Sequence, residues 1–569
     1  MLLFEKIIAK VETLTEHSMI IFLMVLLNPL LMDPVEHHDI MLKLCDALLA
    51  QPLAFQKRLC SYISAQPAPD GSDALMLDAG QEAPHPVTCE FFQHYISVFQ
   101  QFITMRLLLR ADESITPNKN EAVMKATKCL EILYVLNEEK QFVSFTEFYN
   151  DAVNEQIEIK EDFPRYKTKD GFSFCNYAFI LNPATKSDIL KVESMVQMRH
   201  ELQDAFFRAL FIGVNSPYLV LEIRRSHIIR DALFQLESKT TKDLKKQLRV
   251  QFVGEEGVDE GGVQKEFFQL VVSEMFDPKY GMFTFNEETR TCWFISNPLV
   301  DEAQLEEYRL IGRLIGLAIY NSVILDVRFS FNLYKKLMGQ EVGLEDLKNL
   351  DPTLAHGLKQ LLEFEGDVES AFERTFQIEN EYLDGRFTYD LKPGGADIKL
   401  TSENRKEFVD LYVDFIFNKS VERQFNAFKE GFDNVCAGSA IQLFRPEEVE
   451  QLICGSSELD FEALERVTQY DGGFTKDSPI IKNFWEIVHN FSEGQKKKLL
   501  FFATGSDRVP IGGLSKLQFV IAKNGGDSDR LPTSHTCFNV LLLCEYSSKK
   551  KLEESLLTAI ENSKGFGMI

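Results

Sequence analysis

The chain has 569 residues, enough at ~150 residues per domain for several domains, and its 45% hydrophobic and 26% charged residues exclude global disorder. Asp and Glu number 86 against 61 Lys and Arg, a formal charge of −25, which argues against nucleic-acid binding through clustered cations and favours basic partners. None of the ten cysteines lies two to four residues from another, so no zinc site or redox pair is readable and no metal is expected. Without a secretory signal they read as reduced intracellular thiols. The most apolar run, Met19 to Leu27, stops at Asn28 and Pro29, well short of the ~20 residues of a membrane span; a buried helix in a soluble protein is the expectation.

Residues 1–63 carry amphipathic helical patterning, for example Asp39 to Leu49 with Ile40, Leu42, Leu44, Leu48 and Leu49 apolar. Ala65 to Pro86, rich in proline, glycine and acids, reads as a linker near 65–86. Helices are predicted at Phe91–Leu109, Asn120–Leu136 and about Ser187–Leu210, the last capped by Thr185 or Ser187. No fixed repeat is visible, and residues 1–218 read as an all-α support.

From Leu219 the texture becomes mixed. A strand at Leu248–Phe252 runs through a glycine-acid segment, Gly257-Val258-Asp259-Glu260-Gly261-Gly262, into a helix at Gln264–Met275; the segment is a tight connection without phosphate-loop spacing. Glu302–Tyr320 is a buried helix whose Gly312 and Gly316 admit a close neighbour. Asp351-Pro352 opens another helix, which Gly366 closes; Leu354, Leu358 and Leu361 form its stripe. A helix at about Glu403–Asn418 groups Phe408, Leu411, Tyr412 and Phe415. On pattern alone both stripes read as core. Gly455-Ser456-Ser457 suits a hinge. Beyond it a compact α/β unit is predicted, with helices near Phe461–Thr468 and Lys482–Phe491, strands at Leu517–Ala522 and Phe538–Leu543 joined by a polar loop, Asn524–Thr536, and a closing helix at Lys549–Asn562.

One cysteine differs in setting from the others. Cys537 follows Pro532-Thr533-Ser534-His535-Thr536 and directly precedes an apolar strand, a place where a macromolecular substrate can reach the thiol, with His535 and loop amides beside it. A satisfied loop cysteine is the alternative. A cysteine hydrolase needs a base oriented by an acid or amide, and His535, two residues away, suits that role poorly. Thioester exchange needs no such base, because one thiolate attacks and another leaves.

Pro532-Thr533-Ser534-His535-Thr536-Cys537-Phe538-Asn539 resembles the active-site signature of HECT-type ubiquitin ligases. So do Arg508-Val509-Pro510-Ile511-Gly512-Gly513, the terminal Gly565-Phe566-Gly567-Met568, the Gly257–Gly262 run and Asn332-Leu333-Tyr334-Lys335-Lys336-Leu337-Met338-Gly339. Within that family the chain is most similar to the papillomavirus-oncoprotein-associated subfamily of the Angelman-syndrome ligase, with Ala178-Phe179-Ile180-Leu181-Asn182 a weaker likeness upstream.

The resemblance implies an α+β bilobal domain after the all-α region: a larger, mainly helical lobe over 219–454 that docks a ubiquitin-conjugating enzyme, a flexible hinge at Gly455, Ser456 and Ser457, and a small α/β lobe over 458–569. It implies that Cys537 takes ubiquitin as a glycyl thioester and passes it to lysines of protein substrates, with no cofactor, no nucleic acid and no membrane. His535 is a supporting candidate, and Phe566 matches the terminal aromatic that positions the acceptor. The docking groove falls on Leu354, Gly357, Leu358, Leu361, Phe372, Phe408 and Tyr412, of which Gly357 and Phe372 depart from the relative's polar and methionine residues. The related ligase's amino-terminal zinc module has no cysteine spacing here. Localisation is expected in the cytoplasm, with the nucleus also open. The rival readings are an inactive scaffold that binds conjugating enzymes and a hydrolase of ubiquitin conjugates.

Overall fold

The computed structural model describes residues 38–50, 89–109, 116–211, 216–255, 262–382, 385–456, 459–536 and 538–562, with Leu26 and Leu31 besides. The rest of the Met19–Leu27 run, the 65–86 linker, Gly257 to Gly261, Ser457, Cys537 and the tail holding Phe566 lie outside the described residues. The chain forms two compact units, residues 1–192 and 193–569.

The first unit is helical: α1 (His38–Leu49), α2 (Cys89–Leu108), α3 (Glu121–Lys140), α4 (Asp151–Gln156), α5 (Ile159–Thr168) and the first part of α6 (Pro183–Phe211). Phe92, Phe99 and Phe102 give α2 its fully buried face, and Asn120 caps α3 by accepting from Val123 N at 3.3 Å. A buried carboxylate ties the loop after α5 to that helix. Asp162 accepts from Ser173 Oγ at 2.7 Å and from the amides of Phe174 and Cys175 at 3.0 and 3.2 Å. Helix α6 starts earlier than its expected caps. Asn182 accepts from Thr185 N at 2.9 Å, with Pro183 in the first helical position, where its missing N–H costs nothing. Thr185 and Ser187 are buried inside the helix.

The second unit is α+β and bilobal. The larger lobe begins with β1 (Tyr218–Ile223), α7 (Ile228–Glu237) and β2 (Gln247–Phe252), the strands pairing in parallel with Leu219 opposite Leu248. It continues through α8 (Gly262–Met275), the hairpin β3 (Phe283–Asn286) and β4 (Thr291–Phe294), α9 (Glu302–Tyr320), α10 (Phe331–Leu337), α11 (Pro352–Glu363) and α12 (Val368–Phe372). A second hairpin, β5 (Gln377–Tyr382) and β6 (Gly385–Asp390), is followed by α13 (Arg405–Phe417), α14 (Glu422–Cys436) and α15 (Pro446–Cys454). Asp301 caps α9 in a capping box with Gln304, the reciprocal pattern that satisfies two orphan amides. Gly312 and Gly316 do admit a neighbour: a Cβ on Gly312 would run into the Phe428 carbonyl, one on Gly316 would stand 2.8 Å from Val435 Cβ, and one on Gly431 would meet the Arg309 carbonyl. The α9 and α14 backbones thus touch directly, with residue numbers rising together along the contact. Around this crossing Phe276, Phe283, Phe294, Tyr308, Phe329 and Phe428 stack edge-to-face or offset, with centroids 4.8–5.9 Å apart, the geometry ring quadrupoles favour.

The smaller lobe comprises α16 (Phe461–Val467), β7 (Gln469–Asp471), α17 (Pro479–His489), α18 (Glu493–Thr504), β8 (Val520–Lys523), β9 (Thr533–His535), β10 (Val540–Leu543) and α19 (Lys549–Asn562). Its sheet has the order β7-β8-β10-β9, parallel except for the β10–β9 pair. Phe484, Val488, Ile521, Leu541, Leu552 and Leu556 lie at the centre of its core. Three elements differ from expectation. The edge strand β7 forms by pairing with β8 where no strand is expected, and the polar loop holds β9, recruited by pairing with β10. Helix α18 forms where no helix was read, because Leu499, Leu500 and Ala503 are its buried face and a run of lysines hides the periodicity. Among the described residues no helix is long and apolar enough to cross a membrane.

Candidate functional site

The hairpin between β9 and β10 carries the sequence around Cys537. Ser534 anchors β9 to α18, donating its hydroxyl to the Phe502 carbonyl at 2.6 Å. On the far side Asn539 adopts a left-handed conformation, φ 52°; its side chain donates to Gln518 O at 3.1 Å and its carbonyl accepts from Val520 N at 3.1 Å. That conformation suits asparagine better than most residues. Phe538 N donates to His535 O at 3.1 Å. His535 is exposed, and the Phe538 ring is 59% exposed, so the residues bracketing Cys537 stand at the protein surface.

Of the eight described cysteines, seven are buried and Cys89, at the start of α2, is exposed. Burial pushes the thiols of Cys292, Cys436 and Cys454 up to about 12 and raises those of Cys129 and Cys175, so at neutral pH these carry almost no thiolate. Cys454 is instead a structural thiol, donating to Val327 O at 3.2 Å with the Tyr334 hydroxyl 3.2 Å away.

At the expected hinge, α15 ends at Cys454 and Gly455 turns the chain with φ 66°. A Cβ there would press on Ile324 and Arg508 at 3.1–3.2 Å. Ser456 then pairs antiparallel with Val509, amide to carbonyl at 2.9 and 3.0 Å. Further contacts join the lobes: Arg508 to Asp326 at 3.1 Å, Lys265 Nζ to the carbonyls of Thr504 and Thr536 at 3.0 and 3.3 Å, and Gln269 to the Gly505 carbonyl.

The residues expected to form a docking groove separate by depth. Leu358, Leu361 and Phe408 are 5%, 4% and 2% exposed; they are floor, packed where α11 meets α13. Leu354, Phe372 and Tyr412 are half-buried and Gly357 is exposed, with no atom within 4 Å of an added Cβ. Asp351 caps α11, accepting from Leu354 N at 2.9 Å. The helix stops at Glu363, before Gly366, because Arg405 from α13 takes the carbonyls of Leu361, at 3.2 Å, and of Phe364. Phe364, absent from the expected set, lies edge-on to Phe372 at 5.3 Å and is itself exposed. Burial raises the Tyr412 hydroxyl, whose ring lies 5.8 Å from that of Phe408. Two partly exposed apolar pairs result, Phe364 with Phe372 and Tyr412 over Phe408, with Leu354 half-buried on α11 and the exposed carboxylates of Glu363, Glu365 and Asp367 flanking Phe364 in sequence.

Sequence reasoning missed Phe364, Lys265, Gln269 and Asp326, and it read Arg508 only as the first residue of a family motif. An apolar residue between two glutamates was the one available signal for Phe364. The others act across more than 180 residues of chain, which no local pattern records.

A bilobal α+β unit with a surface hairpin around one cysteine, and a match between residues 269–569 and the HECT-domain (ubiquitin-transferase) family, define the class: the chain belongs to the HECT-domain family. It is 42% identical over 502 residues to the Mus musculus protein named "Probable E3 ubiquitin-protein ligase HECTD2", the alignment covering 84% of this chain and 64% of that protein. It is 38% identical to the Homo sapiens protein named for HERC4, over 84% of this chain and 48% of the relative. It is 35% identical to mug30 of Schizosaccharomyces pombe, over 84% and 63%. The chain therefore spans less than two thirds of the length of these relatives.

Proposed function

We propose that this chain is a HECT-type ubiquitin-protein ligase. The thiolate of Cys537 attacks the glycyl thioester of a loaded ubiquitin-conjugating enzyme, whose cysteine leaves. A substrate lysine, having lost a proton, then attacks the new thioester, Cys537 leaves, and an isopeptide bond remains. The observation that carries this reading is the family match running from residue 269 through Ile569, with the segment around Cys537 inside it. Relatives named as E3 ubiquitin-protein ligases support it. They give no support to the narrower branch of the Angelman-syndrome ligase, and our reading stays at the family.

In this reading the larger lobe, 219–454, binds the conjugating enzyme through the patch of Leu354, Gly357, Phe372 and Tyr412 over Leu358, Leu361 and Phe408. An apolar centre bordered by carboxylates suits a partner with an apolar tip and a basic rim. Gly455, Ser456 and Ser457 are the joint about which the smaller lobe, 458–569, turns between donor and acceptor. Phe566 and His535 assist the second transfer, and residues 1–218 carry the domain. Substrates and ubiquitin are the remaining partners.

The test is a single-turnover charging assay with a conjugating enzyme preloaded with ubiquitin. The expected product is a ubiquitin adduct removed by thiol reductant and absent from Cys537→Ala. Folded protein that yields no adduct with a broad panel of conjugating enzymes overturns the reading and leaves the scaffold.

A further inference from the structure

Lys265 and Gln269 lie one turn apart on α8, so their side chains leave the larger lobe in the same direction. Both end on the smaller lobe. Gln269 donates to the Gly505 carbonyl just past the C-terminus of α18, and Lys265 Nζ stands 3.0 Å from the Thr504 carbonyl. The last carbonyls of a helix are its negative pole and favour a cation. The same ammonium is 3.3 Å from the carbonyl oxygen of Thr536. That carbonyl belongs to the peptide group whose N–H is that of Cys537, because C=O and the following N–H share one planar unit. Hydrogen bonding by a cation to the carbonyl end withdraws electron density from the whole unit. Covalent geometry also keeps the sulfur of the next residue within ~5.5 Å of that oxygen, hence at most ~9 Å from the ammonium.

From these contacts we infer that Lys265 is a positioning residue of the transfer reaction: through the Thr536–Cys537 peptide it supports negative charge on the Cys537 sulfur, and it does so only while the smaller lobe is docked on α8. The inference rests on the reading of Cys537 as nucleophile. It makes the reactivity of the thiol a property of the lobe arrangement. A lobe turned away loses a charge that sits more than 270 residues upstream in sequence. A unit charge ~9 Å away at an effective dielectric constant of ~40 changes the thiolate fraction about five-fold.

The experiment needs neither ubiquitin nor a conjugating enzyme, so its outcome is separate from that of the charging assay. The full chain is treated with iodoacetamide at neutral pH, and the rate of modification at Cys537 is read by peptide mass spectrometry in wild type, Lys265→Met, Lys265→Gln and Lys265→Arg, all with His535 intact. Lys265→Met and Lys265→Gln are expected to react about five-fold more slowly, and Lys265→Arg at close to the wild-type rate. A Lys265→Met rate equal to wild type overturns the inference. So does a Gln variant as reactive as the Arg variant, since a neutral donor would then suffice and the lysine would be a tether only. Thermal melts identify any variant that has lost its fold, and Lys265→Arg, which keeps charge and length, then decides alone: a rate five-fold below wild type in a folded Arg variant refutes the role of charge.

Discussion

Gly312→Ala inverts the usual effect of a glycine-to-alanine change in a helix. Alanine is favoured over glycine by about 1 kcal/mol in a helix interior. At Gly312 the new methyl would overlap the Phe428 carbonyl oxygen and stand 2.8 Å from Phe432 N. Both are backbone atoms with no rotamer to change, so the two helices must separate along a contact that also includes Gly316 and Gly431. A gap of 0.5–1 Å forfeits about a quarter to a half of each dispersion contact, and overpacking of a tight core costs about 1–3 kcal/mol or more. With several contact points affected together, we expect a net loss of about 2–4 kcal/mol. The chain has two tryptophans, Trp293 in the larger lobe and Trp485 in the smaller. In a Trp485→Phe background the fluorescence of Trp293 therefore follows denaturant unfolding of the larger lobe alone. Gly357→Ala, in the interior of α11 with open space around the added carbon, is the matched control and should gain about 0.5–1 kcal/mol. A Gly312→Ala midpoint at or above wild type, or equal losses in both variants, would refute the argument from backbone contact.

Other outcomes follow from the same geometry. Asp162→Ala leaves the buried Ser173 hydroxyl proton and the Phe174 amide unpaired, while Cys175 N keeps Ser173 Oγ at 3.1 Å, and should destabilise the first unit by about 2–3 kcal/mol, visible as faster limited proteolysis within residues 1–192. Phe372→Ala and Tyr412→Ala should each weaken conjugating-enzyme binding by about 1–2 kcal/mol in a titration run well below each variant's melting temperature; unchanged affinity in both would remove the patch from the interface. Gly455→Val forces a β-branched residue into φ 66° against Val509, Ile324 and Arg508, and should slow ubiquitin transfer to lysine more than charging of Cys537. Burial pushes the Lys336 ammonium down to about 8, below the ordinary ~10.4. Between those values the unfolded chain holds the extra proton, so stability rises with pH across that window. Lys336→Met should flatten the rise in the Trp293 midpoint between about pH 7.5 and about pH 10.

The sequence was legible where a residue type has one local use. Asp351 with Pro352 marks a helix start because capping is decided within four residues, and Gly312 and Gly316 advertise a close crossing because nothing else asks for glycine on an apolar face. The start of α6 was misread because Asn182, Thr185 and Ser187 all have capping chemistry and Pro183 decides among them. The end of α11 was misread because its cap is Arg405, a tertiary partner. β9 is strand only by virtue of β10. The stripes on α11 and α13 show the limit of periodicity: Leu358 and Tyr412 obey the same repeat, yet one is floor and the other half-exposed, since a 3.6-residue period gives the face of a helix and not how far its neighbour extends. The larger-lobe half of the candidate site, Lys265 and Gln269, had no sequence signal at all.

The direct backbone contact of α9 with α14 also has a consequence for biosynthesis. Gly312 and Gly431 are more than a hundred residues apart, and a ribosome adding ~5–20 residues per second needs ~6–24 s to cover that interval. For that time a helix buried on nearly every face in the finished protein has emerged without its partner. The nascent chain must shelter Ile311, Leu314, Ile315 and Ile319 elsewhere, so slowing translation between the two helices is the manipulation to which the yield of folded larger lobe should be most sensitive.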